Sequence, residues 1–434
     1  MEKKLNIVIQ KKDFDVNQPL NIPKVITNYE INGSYLYIAP EKASYFSTNS
    51  IGNKIFESFR KGYTIKEVIQ NMRDNSYSET EINNEIKKLL IKLEKNGFYE
   101  DANVVDSKED QKGLQLYLTN KCNLKCCHCY IDAGTKNKKE LTISQWENIL
   151  DEYSNTYEGK VTFTGGEPLL YPGIYDLLKK AKSNGLTVEL FTNGTLINEK
   201  NVKKVVEYLD MVQVSLDGAS AQINDKIRGN GVWKKVVHAV NLMGKIKPQM
   251  LIVIAMTIMP GNAKDIEENI DKLLKLFKFE VRLKIGLLII TGRADKNLDF
   301  PNNIIAEQVM TKILNGIYKK RLKGMRKITP NMRIHNCGYG EIITILSNGE
   351  IYPCALPNYG IGNIRNISLS QAMETFLKNK TASNIENLEI CSCCDVRYFC
   401  FGGCRLNYIT KNNSLFKPYC TEKIKREMLE KLVL

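Results

Sequence analysis

Histidine is nearly absent: His128, His238 and His335 are the only three in 434 residues. That argues against a zinc hydrolase built on imidazole ligands and favours thiolate ligation. Cysteine is missing from residues 1–121 and again from residues 130–336. No apolar run approaches the roughly 20 residues that cross a bilayer. The opening Met1-Glu2-Lys3-Lys4-Leu5-Asn6 continues into Lys11-Lys12-Asp13 without the apolar stretch or small-residue cleavage site of a secretory signal. A cytoplasmic protein with no membrane partner is expected. No run of five or more like charges occurs, so the net charge of +14 reads as lysine spread over solvated helix faces. Nucleic acid is not an expected partner, although a basic surface suits an acidic peptide. Hydrophobic residues make up 43% and charged residues 25%, the balance of a folded protein of about two to four domains. There is no internal repeat and no low-complexity tract.

What is present is concentrated. Four of the twelve cysteines fall within Cys122–Cys129 and eight between Cys337 and Cys420. In a reducing cytosol such clusters point to metal or redox chemistry rather than to disulfides.

Three parts can be read along the chain. In residues 24–105, the β-rich runs Val25–Ile31 and Ser34–Ile38 flank Asn32-Gly33, a type I′ hairpin signal. Helical spacing follows over Ile51–Phe59. Thr64 with Glu67, and Ser78 with Glu81, are capping boxes, and the second opens a face of Ile82, Ile86, Leu89, Leu90 and Leu93 that ends at Gly97. A hairpin with three helices is expected, at the size of a winged helix. The polar stretch 101–113 reads as a linker. Residues 113–295 alternate strands and helices, with strands at Leu114–Thr119, Lys160–Thr164, Thr187–Thr192, Met211–Leu216, Leu251–Ile258 and Val281–Leu288. Six βα units imply a parallel sheet with helices outside and an active site at the carboxyl ends of the strands. Residues 330–434 are loop-rich, and metal ligation is a source of stability for such a segment.

The chemistry-bearing residues follow this frame. Cys122, Cys126 and Cys129, spaced C-x3-C-x2-C, come directly after the first strand. Three thiolates on a short loop can hold three irons of a [4Fe–4S] cluster and leave one open. Thr164-Gly165-Gly166-Glu167-Pro168 closes the second strand, Phe191-Thr192-Asn193-Gly194 the third and Ser215-Leu216-Asp217-Gly218 the fourth; Arg228 lies shortly beyond. Each tetrapeptide alone would pass for a turn, but together and in order they do not. The set resembles the radical S-adenosylmethionine superfamily, including the aromatic Tyr130 after the third cysteine.

That resemblance implies a fold of α/β class: a partial (β/α)6 barrel with an N-terminal winged-helix-like α+β domain and a C-terminal iron–sulfur domain. It implies S-adenosylmethionine on the open iron, with Tyr130, Gly165, Gly166, Glu167, Pro168, Asn193, Ser215 and Arg228 as cofactor-binding residues. Glu167 would meet the methionyl amino group and Arg228 the cofactor carboxylate. One-electron reduction then yields a 5′-deoxyadenosyl radical that abstracts hydrogen from the substrate. A reducing donor of flavodoxin or ferredoxin type is implied.

Further on, Cys337, Gly349 and Cys354 precede Cys391, Cys394, Cys400 and Cys404, spaced C-x2-C-x5-C-x3-C, and then Cys420. This resembles the SPASM extension of peptide-modifying radical enzymes, which implies two auxiliary clusters and three [4Fe–4S] clusters in all. The family pattern places Cys391, Cys394, Cys400 and Cys420 on a distal cluster and Cys337, Cys354 and Cys404 on a proximal one. The proximal cluster keeps an open iron or takes a further ligand such as His335. Cys127 and Cys393 fall outside both patterns. Residues 24–105 resemble the peptide-recognition element of ribosomal-peptide modification enzymes, so the expected partner is a precursor peptide with a leader. The expected activity is maturation of that peptide by intramolecular cysteine thioether crosslinks, as in sactipeptides and ranthipeptides. The rivals are carbon–carbon crosslinking or epimerisation of a peptide, formylglycine formation in a sulfatase, and, outside enzymes, an iron–sulfur regulator that binds nucleic acid.

Overall fold

The computed structural model describes residues 6–9, 12–75, 77–107, 113–134, 139–289, 291–297, 304–315, 320–322, 330–355 and 359–433. The chain divides into two compact units. The first comprises Met1–Glu109, Lys327–Tyr339 and Lys378–Leu434, and the second comprises Asp110–Arg326 and Gly340–Leu377.

The first unit opens with a short antiparallel pair, β1 (Asn6–Ile9) and β2 (Lys12–Asp15). A three-stranded antiparallel sheet follows, of β3 (Thr27–Ile31), β4 (Ser34–Ala39) and β5 (Ser44–Thr48), with β3 and β5 as its edges. Asn32 and Gly33 join the first two strands with φ of 51° and 76°, the left-handed values a type I′ turn needs. The sequence reading stopped at the hairpin and missed β5. The helices are α1 (Ser50–Arg60), α2 (Ile65–Asp74) and α3 (Glu79–Lys95), and the Thr64–Glu67 and Ser78–Glu81 capping boxes both form. Alternation along β4 sorts its side chains to two cores. Tyr37 and Ala39 join Phe46, Phe56 and Phe98 against the helices. Leu36 and Ile38 turn to Phe399, Leu429 and Leu432, the last two on the helix Glu422–Val433. All four β4 residues are thereby buried, although the strand belongs to a sheet of only three. Val105–Asp106 forms β6, which pairs in parallel with Met332–Arg333.

The second unit is the partial barrel. Its six parallel strands are β7 (Gly113–Thr119), β8 (Lys160–Gly165), β9 (Thr187–Thr192), β10 (Met211–Ser215), β11 (Leu251–Ile258) and β12 (Arg282–Leu287), side by side in chain order. Helices alternate with them: α4 (Ile143–Thr156), α5 (Ile174–Ser183), α6 (Val202–Val206), α7 (Ala221–Arg228), α8 (Val232–Ile246), α9 (Pro260–Leu274), α10 (Arg293–Asn297) and α11 (Ile304–Asn315). Strands covered on both faces read as unbroken apolar runs. β7 is buried at every position, and Trp146 and Tyr153 of α4 are fully buried in the same core. Beyond β7 the sheet continues. Ile342–Ile345 pairs with it in parallel, and Glu350–Tyr352 and Gly362–Asn363 follow antiparallel. Residues 340–377, read from sequence with the loop-rich C-terminal part, thus extend the barrel sheet. Among the described residues, no helix is long and apolar enough to cross a membrane.

Candidate active site

The carboxyl ends of the barrel strands surround a pocket of about 430 Å³, within the range that takes a cofactor-sized ligand. Cys122, Cys126, Cys129, Tyr130, Gly165, Gly166, Asn193, Ser215 and Arg228 all line it. Glu167 and Pro168 do not.

The three thiols stand on the loop after β7, and several contacts fix that loop from behind. Gly166 N donates to Thr119 O and Glu167 N to Lys121 O, each at 2.8 Å, so the end of β8 runs against the approach to Cys122. Gly165 has a φ of 135°, and a Cβ on Gly166 would stand 2.2 Å from Lys121 O; no other residue fits this contact. Cys127 N donates to Ile227 O of α7 at 3.1 Å. Arg293, just past β12, donates from Nε to Cys126 O at 2.9 Å and from Nη1 to Ala133 O at 2.7 Å, and it pairs with Asp132 at 3.1 Å. Its own backbone N–H reaches Cys129 O.

The thiols also receive donors. Leu124 N lies 3.4 Å from Cys122 Sγ, and Arg228 Nη1 lies 3.9 Å from Cys126 Sγ. Burial pushes the Cys126 thiol up to about 11, and Arg228 opposes the shift. Burial likewise raises Cys122, against the Leu124 N–H. A coordinating metal overrides both and deprotonates a thiol outright. Among the described residues, no three His, Cys, Asp or Glu side chains converge on a single ion. Three thiols spread around one pocket suit a cluster, in which each thiolate takes a different iron.

Glu167 is fully buried, just behind the cavity lining. It accepts from Thr192 Oγ1 at 2.7 Å, Asn193 N at 2.8 Å and Leu169 N at 3.2 Å. Burial raises its carboxyl to about 7, while these three donors favour the charged form. Its geometric role is to hold the end of β9. Asn193 in turn donates to Asn123 Oδ1 of the cysteine loop at 2.9 Å. Asp217, also fully buried, pairs with Arg228 at 2.7 Å and with His128 at 3.0 Å. Burial works against its charge, but Arg228, together with His128, outweighs it and holds the carboxyl well below the usual range. Sequence reasoning quoted Asp217 within a strand-end tetrapeptide without giving it a role of its own, and it missed His128 and Arg293; the available signal for His128 was its place inside the cysteine run.

Of the C-terminal cysteines, Cys391, Cys394, Cys400 and Cys420 lie together in the first unit. Burial, and then the neighbouring charges of Cys394, Cys391 and Cys420, push the Cys400 thiol up to about 11, against the Gly402 N–H. Cys337 and Cys404 belong to the first unit and are exposed, while Cys354 belongs to the second and is half-buried. His335 is committed elsewhere: Nε2 faces Asp106 at 2.9 Å and Nδ1 faces Glu386 at 2.6 Å. Neither ring nitrogen is left for iron, which removes the suggested further ligand. Cys127 packs beside Ile227, Met259, Leu288 and Ala294, and Cys393 is exposed.

Residues 116–273 match the model of the radical SAM superfamily, and residues 337–395 match that of an iron–sulfur cluster-binding domain, SPASM. The mycofactocin maturase of Mycolicibacterium smegmatis is 28% identical over 258 residues, which cover 56% of this chain and 63% of that protein. The antilisterial bacteriocin subtilosin biosynthesis protein of Bacillus subtilis is 25% identical over 339 residues, 73% of this chain and 72% of its own. The crystal structure of Streptococcus suis SuiB bound to S-adenosylmethionine superimposes with a TM-score of 0.57 at 16% identity, covering 92% of this chain and 99% of that one. This last likeness is one of fold. The chain carries a radical SAM domain over residues 116–273 and a SPASM iron–sulfur cluster-binding domain over residues 337–395.

Proposed function

We propose that this protein is a maturase that modifies a ribosomally made precursor peptide, joining a cysteine sulfur to a carbon of another residue. The observation that supports a radical enzyme is the pocket at the strand ends, lined by three thiols and by Gly165, Gly166, Asn193, Ser215 and Arg228. Peptide as substrate draws on the two relatives, whose names differ in product. The thioether draws on the seven C-terminal motif cysteines.

Bound in the pocket, cluster and S-adenosylmethionine supply hydrogen abstraction from an unactivated carbon. The chain's own residues do the rest. Arg293 and the Gly166–Lys121 contact fix the thiol loop. Glu167 sets the end of β9, and Asn193 ties that end to the loop. Apolar Leu124, Met256, Leu288 and Ile289 wall the pocket against water, which would quench a reactive intermediate. We assign Cys391, Cys394, Cys400 and Cys420 to one auxiliary cluster. A second auxiliary cluster, as the motif implies, would accept the electron released as the new bond closes. Residues 24–105 recognise the leader by adding it as a strand to an edge of the β3–β5 sheet. The site acts in the cytoplasm with a flavodoxin- or ferredoxin-type donor.

Co-expression with small cysteine-containing precursors encoded beside the gene tests the reading. A thioether removes two hydrogens per crosslink and leaves the cysteine inert to alkylation. A peptide that loses the hydrogens but still alkylates fully indicates carbon–carbon crosslinking. Unchanged mass with a D-residue indicates epimerisation. Either result overturns the thioether assignment.

A further inference from the structure

The guanidinium of Arg228 is fixed on both sides. Nη2 lies 2.7 Å from Asp217 Oδ2, and Nη1 points to Cys126 Sγ at 3.9 Å. The side chain is only 10% exposed, and that of Asp217 is 0% exposed. Asp217 has no freedom to move away. Its Oδ1 accepts from Thr257 N at 2.7 Å, and Oδ2 also faces His128 Nε2 at 3.0 Å. Its backbone N–H donates to Asn224 Oδ1 at 3.0 Å, and its carbonyl accepts from Asn262 Nδ2 at 2.7 Å. A carboxylate held this way fixes the guanidinium plane, because the fork of donors is rigid. The second terminal nitrogen is then directed at the thiol.

We propose that Arg228, held by Asp217, acts on the cluster itself: it donates to the Cys126 thiolate and raises the reduction potential of the cluster on that loop, before any cofactor binds. The reduced cluster carries one more negative charge than the oxidised one. A cation and an N–H aimed at a ligand sulfur therefore stabilise the reduced form more, and hydrogen bonds to sulfur are among the levers that set such potentials. The role is separate from contact with the cofactor's carboxylate. The inference rests on the cluster assigned to Cys122, Cys126 and Cys129, not on the peptide reading.

The test uses full-length, anaerobically reconstituted protein without S-adenosylmethionine, poised over a range of potentials and read by electron paramagnetic resonance. The relevant signal is the one missing from a variant with Cys122, Cys126 and Cys129 all changed to Ala. If no signal is missing from that variant, the cluster assignment itself fails, and the inference with it. Arg228→Leu should lower the reduction equilibrium constant of that cluster at least tenfold, a shift of about 59 mV to more negative potential for one electron. Arg228→Lys, which keeps the charge but not the fork, should shift in the same direction by less. Should the Leu variant not hold the cluster, the Lys variant decides. Wild-type potential in the loaded variants, with only the affinity for S-adenosylmethionine reduced, overturns the proposal and leaves Arg228 a cofactor ligand.

Discussion

Gly166→Ala is a small change in a place that has no room for it. The new Cβ would stand 2.2 Å from Lys121 O, 2.7 Å from Lys121 C and 2.9 Å from Asn120 O, where ordinary contact begins near 3.4 Å. These are backbone atoms, so no rotamer relieves the clash, and one of the two chains must yield by about an ångström. The same two backbones are joined by Gly166 N–Thr119 O and Glu167 N–Lys121 O, both 2.8 Å, which such a shift stretches out of range. Overpacking and two lost hydrogen bonds together destabilise the barrel by about 2–6 kcal/mol. Lys121 precedes Cys122, so the displacement passes directly to the first cluster ligand. We expect Gly166→Ala to lower the urea midpoint and to lose iron after anaerobic reconstitution. Gly261→Ala, which meets nothing within 4 Å in the first turn of α9, is the control; it should hold wild-type iron and gain up to about 1 kcal/mol. A Gly166→Ala protein with wild-type iron content and midpoint would refute the close-approach argument.

Glu167→Gln should change how stability depends on pH. Its carboxyl is raised by burial to about 7 in the folded state, against about 4.3 unfolded. The folded protein therefore holds the extra proton between these values, and stability falls as pH rises through that window. The wild-type-minus-variant difference in midpoint, followed from pH 5.5 to 7.5, should decline with pH; a flat difference contradicts the assignment. Asp395→Ala should cost about 1.5–3 kcal/mol in chemical denaturation, because Asp395 accepts from Thr27 and Tyr29 of β3 and pairs with Lys425 at 3.1 Å. An unchanged midpoint would show that this junction carries no stability. Cys393→Ser should leave iron content unchanged, since the side chain is exposed and outside the motif spacing; loss of iron would shift the ligand assignment by one residue.

The barrel was legible because its signals are local. Each parallel strand carries apolar residues at alternate or successive positions, and the Thr64–Glu67 and Ser78–Glu81 capping boxes identified from spacing both form. The strand ends were legible because Gly165, Asn193 and Ser215 fall at the ends of successive strands. What could not be read depends on chain segments far apart. β5 follows a left-handed Ala43 and is only Ser44–Thr48, too short and polar to announce itself. Ile342–Ile345 is an ordinary apolar tetrapeptide until it meets β7. Arg293 is separated by more than a hundred and fifty residues from the loop it clamps. His335 sits beside a motif cysteine, and only the fold reveals that two carboxylates occupy it.

The central claim is that the loop after β7 holds the cluster that cleaves S-adenosylmethionine. Anaerobically reconstituted protein with Cys122, Cys126 and Cys129 all replaced by Ala measures it directly. Three clusters amount to roughly twelve irons, so the account predicts loss of about a third of the iron and no 5′-deoxyadenosine on reduction with S-adenosylmethionine. Continued formation of 5′-deoxyadenosine by the triple variant would contradict it.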